Sequence, residues 1–312
     1  MKGRQLTWVA AFLLIVSLAV WLAFFRNREP TYNGKPLSSW AQTYWTAPNP
    51  YSPLDPASIA TLNLAASANR REAREAIRSL GTNPIPLMLK WISYERPRWK
   101  QFCIDRITRR QISWLTFAVL KWLSLDKGHR YLGNAGACFH ALGPKADCAI
   151  PHLVDQMHET RSIILSRNAM AALALIGPQG ARQLGLYLAD ETNPYHFRYY
   201  AANFLATTGT NAEAVVPLLV ERIQDKNYTV AREATKALGA LKQKPDLVVP
   251  ALAQAIQLRN DEIGREAAQA LAAYGREARE AVPMLLKYLK NPVIGNEVRR
   301  AVLAIAPEAL DQ

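Results

Sequence analysis

Small and large apolar residues recur down this chain in a fixed order. Alanine stands at Ala73, Ala135, Ala169, Ala201, Ala234, Ala267 and Ala301, and the last five intervals are 34, 32, 33, 33 and 34 residues. Four residues after each comes a bulkier apolar residue: Ile77, Phe139, Leu173, Leu205, Leu238, Leu271 and Ile305. A step of four keeps both residues on one face of a helix. Self-similarity at this period means stacked units, each too small to bury its own apolar face alone. The pattern predicts an all-α solenoid of about six to seven helix pairs over residues 70–312.

The clearest copy runs from Val230 to Leu258. Val230, Ala234, Ala237, Leu238 and Leu241 share one helical face, and Val248, Val249, Leu252, Ala255 and Ile256 share another. Between them Lys242-Gln243-Lys244-Pro245-Asp246 has turn chemistry. The small column lets neighbouring helices approach closely, and the large column fills the space between layers. Pro151, Pro217, Pro250 and Pro283 each follow the first helix's end (Gly143, Gly209, Lys242, Gly275) by eight residues. They are expected in the first turn of the second helix, where the missing N–H costs nothing. Gly185 stands where one more proline would fall.

These features resemble HEAT-repeat proteins, in the short bacterial form related to phycobilisome-lyase HEAT units. The resemblance rests on Ala-Leu-Gly-Pro-Lys-Ala…Ile-Pro (141–151), Ala-Leu-Ile-Gly-Pro (174–178) and Tyr-Gly…Ala-Val-Pro (274–283). An acidic or amide residue ahead of an arginine adds to it: Asp190/Arg198, Asp225/Arg232 and Asn291/Arg299. It implies a right-handed α-solenoid. The period is shorter than the ~40–47 residues of typical HEAT units. The ankyrin Thr-Pro-Leu-His and the tetratricopeptide Trp…Leu-Gly…Tyr patterns are absent. The acid/arginine pairs read as a structural ladder tying a loop to the next helix.

Ahead of the array, residues 6–25 carry no charge. As a helix, 20 residues span ~30 Å, the thickness of a bilayer's hydrocarbon core. The bulky Trp-Leu-Ala-Phe-Phe end argues against a cleaved signal peptide. Residues 1–28 are therefore expected to be an uncleaved anchor, with 29–69 a juxtamembrane linker and cap. Both flanks are basic, so charge bias leaves orientation open. The resemblance to bacterial anchored proteins implies a single pass of the inner membrane with the repeats outside the cytoplasm. Asn33-Gly34 signals a turn, and Ser38 or Ser39 is expected to cap a helix carrying Trp40 and Trp45.

The net charge of +13 is uneven: residues 1–210 hold 24 Lys/Arg against 12 Asp/Glu, and residues 211–312 hold 14 against 13. The excess gathers in a segment that breaks the repeat, about 94–130. Arg96, Arg98, Lys100, Arg106, Arg109 and Arg110 are interleaved there with Trp99, Phe102, Trp114 and Trp122. Such a mixture suits phosphates, anionic lipid or single-stranded nucleic acid. The plainer reading is a solvated helix face over an aromatic stripe in a diverged repeat, with helices near 98–110 and 112–124; a long insertion is the alternative. These six cations are the candidate binding residues. Anionic lipid is the favoured polyanion and nucleic acid the disfavoured one.

Three cysteines make no disulfide framework. Cys138 falls in a column with Ala76, Ala172, Phe204, Ala237 and Ala270 and reads as a small buried hydrophobe, with a bond to Cys148 left open. Cys138, His140, Cys148 and His152 match a zinc set in residue type alone. Cys138 and His140 sit two apart on a helix, and His152 shares a column with Leu186, Leu218, Ala251 and Met284, taken as core. No metal site and no cofactor is expected. No nucleophile elbow, zinc-protease helix, phosphate loop or dinucleotide fingerprint occurs. The sequence reads as a membrane-tethered, non-catalytic scaffold that binds a protein partner through a curved helical surface. Polyanion binding through 96–130, or a lyase- or glycosylase-like enzyme, is the alternative.

Overall fold

The computed structural model describes residues 29–45, 56–95, 97, 102, 128–159, 161–257 and 260–310. The chain divides into two compact units, one ending at Leu87 and the other beginning at Met88. No helix among the described residues is long and apolar enough to cross a membrane, and the span expected at 6–25 lies outside them.

In the first unit, β1 (Thr31–Tyr32) pairs antiparallel with β2 (Lys35–Pro36). Asn33 and Gly34 turn the chain with φ of 47° and 74°, the two positive values that an Asn-Gly hairpin turn needs. Helix α1 (Leu37–Trp45) follows at once. Neither Ser38 nor Ser39 caps it, because the helix already begins at Leu37; instead the Ser38 N–H donates to the Glu29 carboxylate at 2.9 Å. The hairpin folds Glu29 back onto the first turn, where a negative charge meets the positive end of the helix dipole. Trp40 is buried, its indole N–H donates to the Tyr32 carbonyl at 3.1 Å, and the Lys35 ammonium lies 4.6 Å above its ring. Helix α2 (Pro56–Ser79) packs on α1, burying Ala73, Ala76 and Ile77, and Arg74 donates to the Tyr44 hydroxyl at 3.1 Å. Helix α3 (Ile85–Ile92) contains the boundary between the units.

The second unit is built of helix pairs. First helices α4 (Gly128–Leu142), α6 (Ile163–Ile176), α8 (Tyr195–Leu205), α10 (Tyr228–Leu241) and α12 (Asp261–Tyr274) alternate with second helices. These are α5 (Ile150–Met157), α7 (Pro178–Ala189), α9 (Val216–Glu221), α11 (Pro245–Ala255) and α13 (Val282–Lys287), and α14 (Gly295–Ile305) closes the described array. Each first helix packs on the next, α4 on α6 through to α12 on α14, and each second helix packs on the following first helix. The expected mating of small and large columns is realised. Ala135, Ala169, Ala201, Ala234, Ala267 and Ala301 are fully buried, as are Phe139, Leu173, Leu205, Leu238 and Leu271.

The link within a pair takes two forms. In three pairs a seven-residue 3-10 segment (Gly143–Ala149, Gly209–Val215, Gly275–Ala281) leads into the second helix, and Pro151, Pro217 and Pro283 sit in its first turn as expected. In the other two the second helix starts almost directly, at Pro178 and at Pro245. Pro250 consequently lies inside α11, not at its start, because Pro245 already opens that helix.

The short link between α10 and α11 strains its own residues. Lys242 and Lys244 have φ of 51° and 47°, whereas glycine fills the corresponding place after α4, α8 and α12 with φ of 56°, 57° and 58°. A left-handed residue with a Cβ costs about 1–2 kcal/mol. Lys242→Gly is expected to raise stability by about 1 kcal/mol, read as a higher urea midpoint at unchanged slope.

Tyr274, at the end of α12, lies over the same link. Its hydroxyl donates to the Gln243 carbonyl at 2.8 Å and reaches the Leu238 carbonyl at 3.3 Å. Burial, first, pushes its phenol up to about 12, with Glu277 adding to the rise against the lowering bond to Gln243. The phenol is neutral in the fold up to that pH but ionises near 10 in the unfolded chain. Above pH 10 the unfolded state binds fewer protons, so this contribution is full below about pH 10 and disappears as pH rises toward 12. Tyr274→Phe is expected to cost about 1 kcal/mol at neutral pH and to flatten this alkaline loss, measured by urea unfolding from pH 8 to 11.

Candidate interaction surface

Each second helix buries one column of side chains: Leu153, Tyr187, Leu219, Leu252 and Leu285 are between 0% and 3% exposed. The residue before each forms a second column: His152, Leu186, Leu218, Ala251 and Met284. This column is not core, as the sequence suggested. His152 is exposed, Leu186 is 50% exposed and the other three are partly exposed. One residue is a 100° turn of a helix, enough to carry a side chain from the interior to the rim. Two adjacent apolar columns look equally core-like in a sequence. Pro151, Pro217, Pro250 and Pro283 stand exposed beside this column, with Leu247 and Leu286 also exposed. The second helices from α7 onward therefore each expose some apolar surface, interspersed with polar and charged side chains such as Arg182, Glu221, Asp246 and Lys287.

Gly185, which takes the place of proline in α7, is buried, and the next repeat leaves no room for a side chain there. A Cβ there would lie 2.7 Å from Val215 Cγ1 and 3.3 Å from Leu218 Cδ1, side chains of the next repeat. Further along, α9 and the 3-10 turn Arg222–Gln224 face α11 across a cleft of about 360 Å³. Val220, Ile223, Ala251 and Ala255 provide its apolar part, and Glu221, Gln224 and Gln254 its polar part. Sequence reasoning did not single out these three polar residues: each lies on a predicted solvent face with no motif around it.

The loops between repeats hold the acidic and amide residues noted in the sequence. Asp190, Asp225 and Asn291 each accept a backbone N–H two residues on, from Thr192, Asn227 and Val293, at 2.9, 2.9 and 2.8 Å. Those bonds shape the turn into the next first helix. Hydrogen bonds from the Thr192 hydroxyl and N–H hold the Asp190 carboxyl below its ordinary range. Arg198 and Arg232 form their ion pairs one layer forward, not with the acids that precede them in sequence. Arg198 pairs with Asp225, and Arg232 donates to Glu262 at 3.1 Å. Glu191 binds Lys226 at 2.9 Å and Arg222 at 3.1 Å, which lowers its carboxyl. The ladder exists, but it ties repeat to repeat.

The candidate binding residues Arg96, Arg98, Lys100, Arg106, Arg109 and Arg110 lie outside the described residues, as do Trp99, Cys103, Trp114, Trp122 and the helices expected near 98–110 and 112–124. Within that stretch Phe102 is 63% exposed. Cys138 is buried and Cys148 exposed, and no disulfide joins them. Among the described residues no group of three His, Cys, Asp or Glu side chains is placed to hold a metal ion.

The sequence matches the HEAT-repeat family over residues 150–239 and 216–306, just over half of the chain. The chain belongs to the HEAT-repeat family. No curated protein matches it in sequence. Solved structures do align with it. One engineered protein is 19% identical, covering 59% of this chain and 93% of its own, at a TM-score of 0.39. Another is 16% identical over 86% and 84%, at 0.40. Human deoxyhypusine hydroxylase in complex with glycerol is 19% identical over 85% and 94%, at 0.34.

Proposed function

We propose that this HEAT-repeat protein is a non-catalytic scaffold that engages a protein partner across the outer face of its second helices, tethered to a membrane by its amino-terminal segment. The observation that carries the reading is the apolar column of Leu186, exposed, and Leu218, Ala251 and Met284, partly exposed, flanked by the exposed Pro217, Pro250 and Pro283. Apolar side chains recurring on one face of a stack form an extended surface, and a partner laid along it adds many small contacts. The uncharged residues 6–25 support the tether. The resemblance to bacterial anchored proteins supports the inner membrane, the repeats outside the cytoplasm and a right-handed array.

Crosslinking in native membranes with a photoreactive residue in place of Leu186, followed by mass spectrometry, tests this. A discrete protein adduct is expected, and it is expected to fall to background when Leu218 and Met284 are both changed to aspartate. Labelling confined to lipid, or a protein adduct indifferent to those changes, contradicts the proposal.

A further inference from the structure

The cleft between α9 and α11 brings apolar and polar side chains of two successive repeats together. Its floor is made of side chains that leave room: Ala251 and Ala255 on one wall, with Val220 and the buried Ile223 opposite. About 360 Å³ is space for a long side chain together with part of the backbone that carries it. Glu221 is the one charged residue in the lining, and its side chain is 61% exposed. Its nearest cation, Arg222, is 3.7 Å away and is held more closely by Glu191, at 3.1 Å. Gln224 and Gln254 bring primary amides to the same rim, each able to donate to a carbonyl and accept from an N–H. A carboxylate, paired amides and a small-residue floor together match one kind of occupant.

We propose that this cleft receives an extended segment of a protein partner through a lysine or arginine side chain. The aliphatic stem lies on Ala251, Ala255 and Ile223, the cation meets Glu221, and the flanking peptide groups exchange hydrogen bonds with Gln224 and Gln254. Long basic side chains suit such a site because their stems are apolar while their heads are charged. A carboxylate across an otherwise neutral cleft selects the sign of the partner more than it adds affinity. The assignment rests on the reading that the second-helix face binds protein, and it adds which residue type that partner must present.

The test uses the full-length protein in detergent micelles and four bead-bound pools of degenerate decapeptides, with lysine, arginine, glutamate or leucine fixed at the centre. The lysine and arginine pools are expected to retain the protein and the other two to release it. Glu221→Gln should lower that retention about three- to fivefold, and Glu221→Lys should transfer retention to the glutamate pool. Ala251→Trp, which fills the cleft, should abolish it at an unchanged circular dichroism spectrum. Equal retention by all pools, retention by none, or a preference for lysine that survives Glu221→Gln overturns the assignment. Glu221 is exposed, so its substitution reports even where Ala251→Trp disturbs the fold. The crosslinking experiment separates the two readings. A partner captured equally by wild type and Ala251→Trp removes the cleft but keeps the scaffold; no captured protein in wild type removes the scaffold.

Discussion

Asp225→Ala is expected to destabilise the repeat array by about 3–5 kcal/mol. Asp225 and its partner Arg198 are buried in the loop layer, with side chains 1% and 7% exposed. Arg198 also donates from Nε to the Asn193 carbonyl at 3.1 Å, which fixes it in place. Removing the carboxylate leaves a guanidinium enclosed with one carbonyl acceptor and too little water to hydrate it. The same substitution removes the acceptor of the Asn227 N–H, so the turn into α10 loosens as well. The loss should fall mainly on the α8–α10 layer, because in a stacked array each unit is stabilised by its neighbours. Urea unfolding gives the size, and hydrogen exchange of the α8 and α10 amides gives the place. Arg198→Met combined with Asp225→Ala should recover part of the loss, since an apolar side chain leaves no unpaired charge. Arg232→Ala is the contrast. Its bond to Glu262 is exposed, at 34% and 51%, and should be worth no more than about 1 kcal/mol. Equal losses from Asp225→Ala and Arg232→Ala would contradict this account.

Gly180→Ala is expected to cost about 3 kcal/mol or more. A Cβ at this position, in the first turn of α7, would lie 2.0 Å from the backbone oxygen of Leu173 on α6. The obstacle is main chain of a buried helix, which cannot step aside as a flexible side chain would. The close approach follows from the short link: Gly177, with φ of 138°, turns the chain so abruptly that α7 begins against α6. Gly133→Ala in α4 is the control. Among the described residues, its own helix's backbone aside, no atom lies within 4 Å of a Cβ there, and alanine should gain about 0.5–1 kcal/mol from helix propensity. Thermal unfolding followed by circular dichroism should therefore move in opposite directions for the two variants. A neutral Gly180→Ala would mean that α6 and α7 stand further apart than described.

The helix pairs were legible because periodic burial leaves a periodic residue pattern. Alanine every 32–34 residues, with a larger apolar residue four later, says that one face meets the same environment in each layer. The second helices were less legible. Leu218 and Leu219 are both apolar, yet only Leu219 is wholly buried, and the sequence holds no sign of that difference. Likewise Asp190 precedes Arg198 by a regular interval that suggests a pair, while the ion pair that forms is Arg198 with Asp225. Glu221, Gln224 and Gln254 carry no sequence signal at all, because a cleft between layers has no signature within one layer.

By itself, the chain determined the period, the helical class and the small-and-large mating of the first helices, since these depend on spacing along one element. Only the tertiary structure decided which of two neighbouring apolar columns faces out, which arginine meets which acid, and where two second helices leave room between them. Each of those depends on distances between residues about thirty positions apart, set by how one layer rotates and shifts on the next. A local pattern constrains the face of a helix, but contact across layers is fixed by the stacking geometry of the whole array.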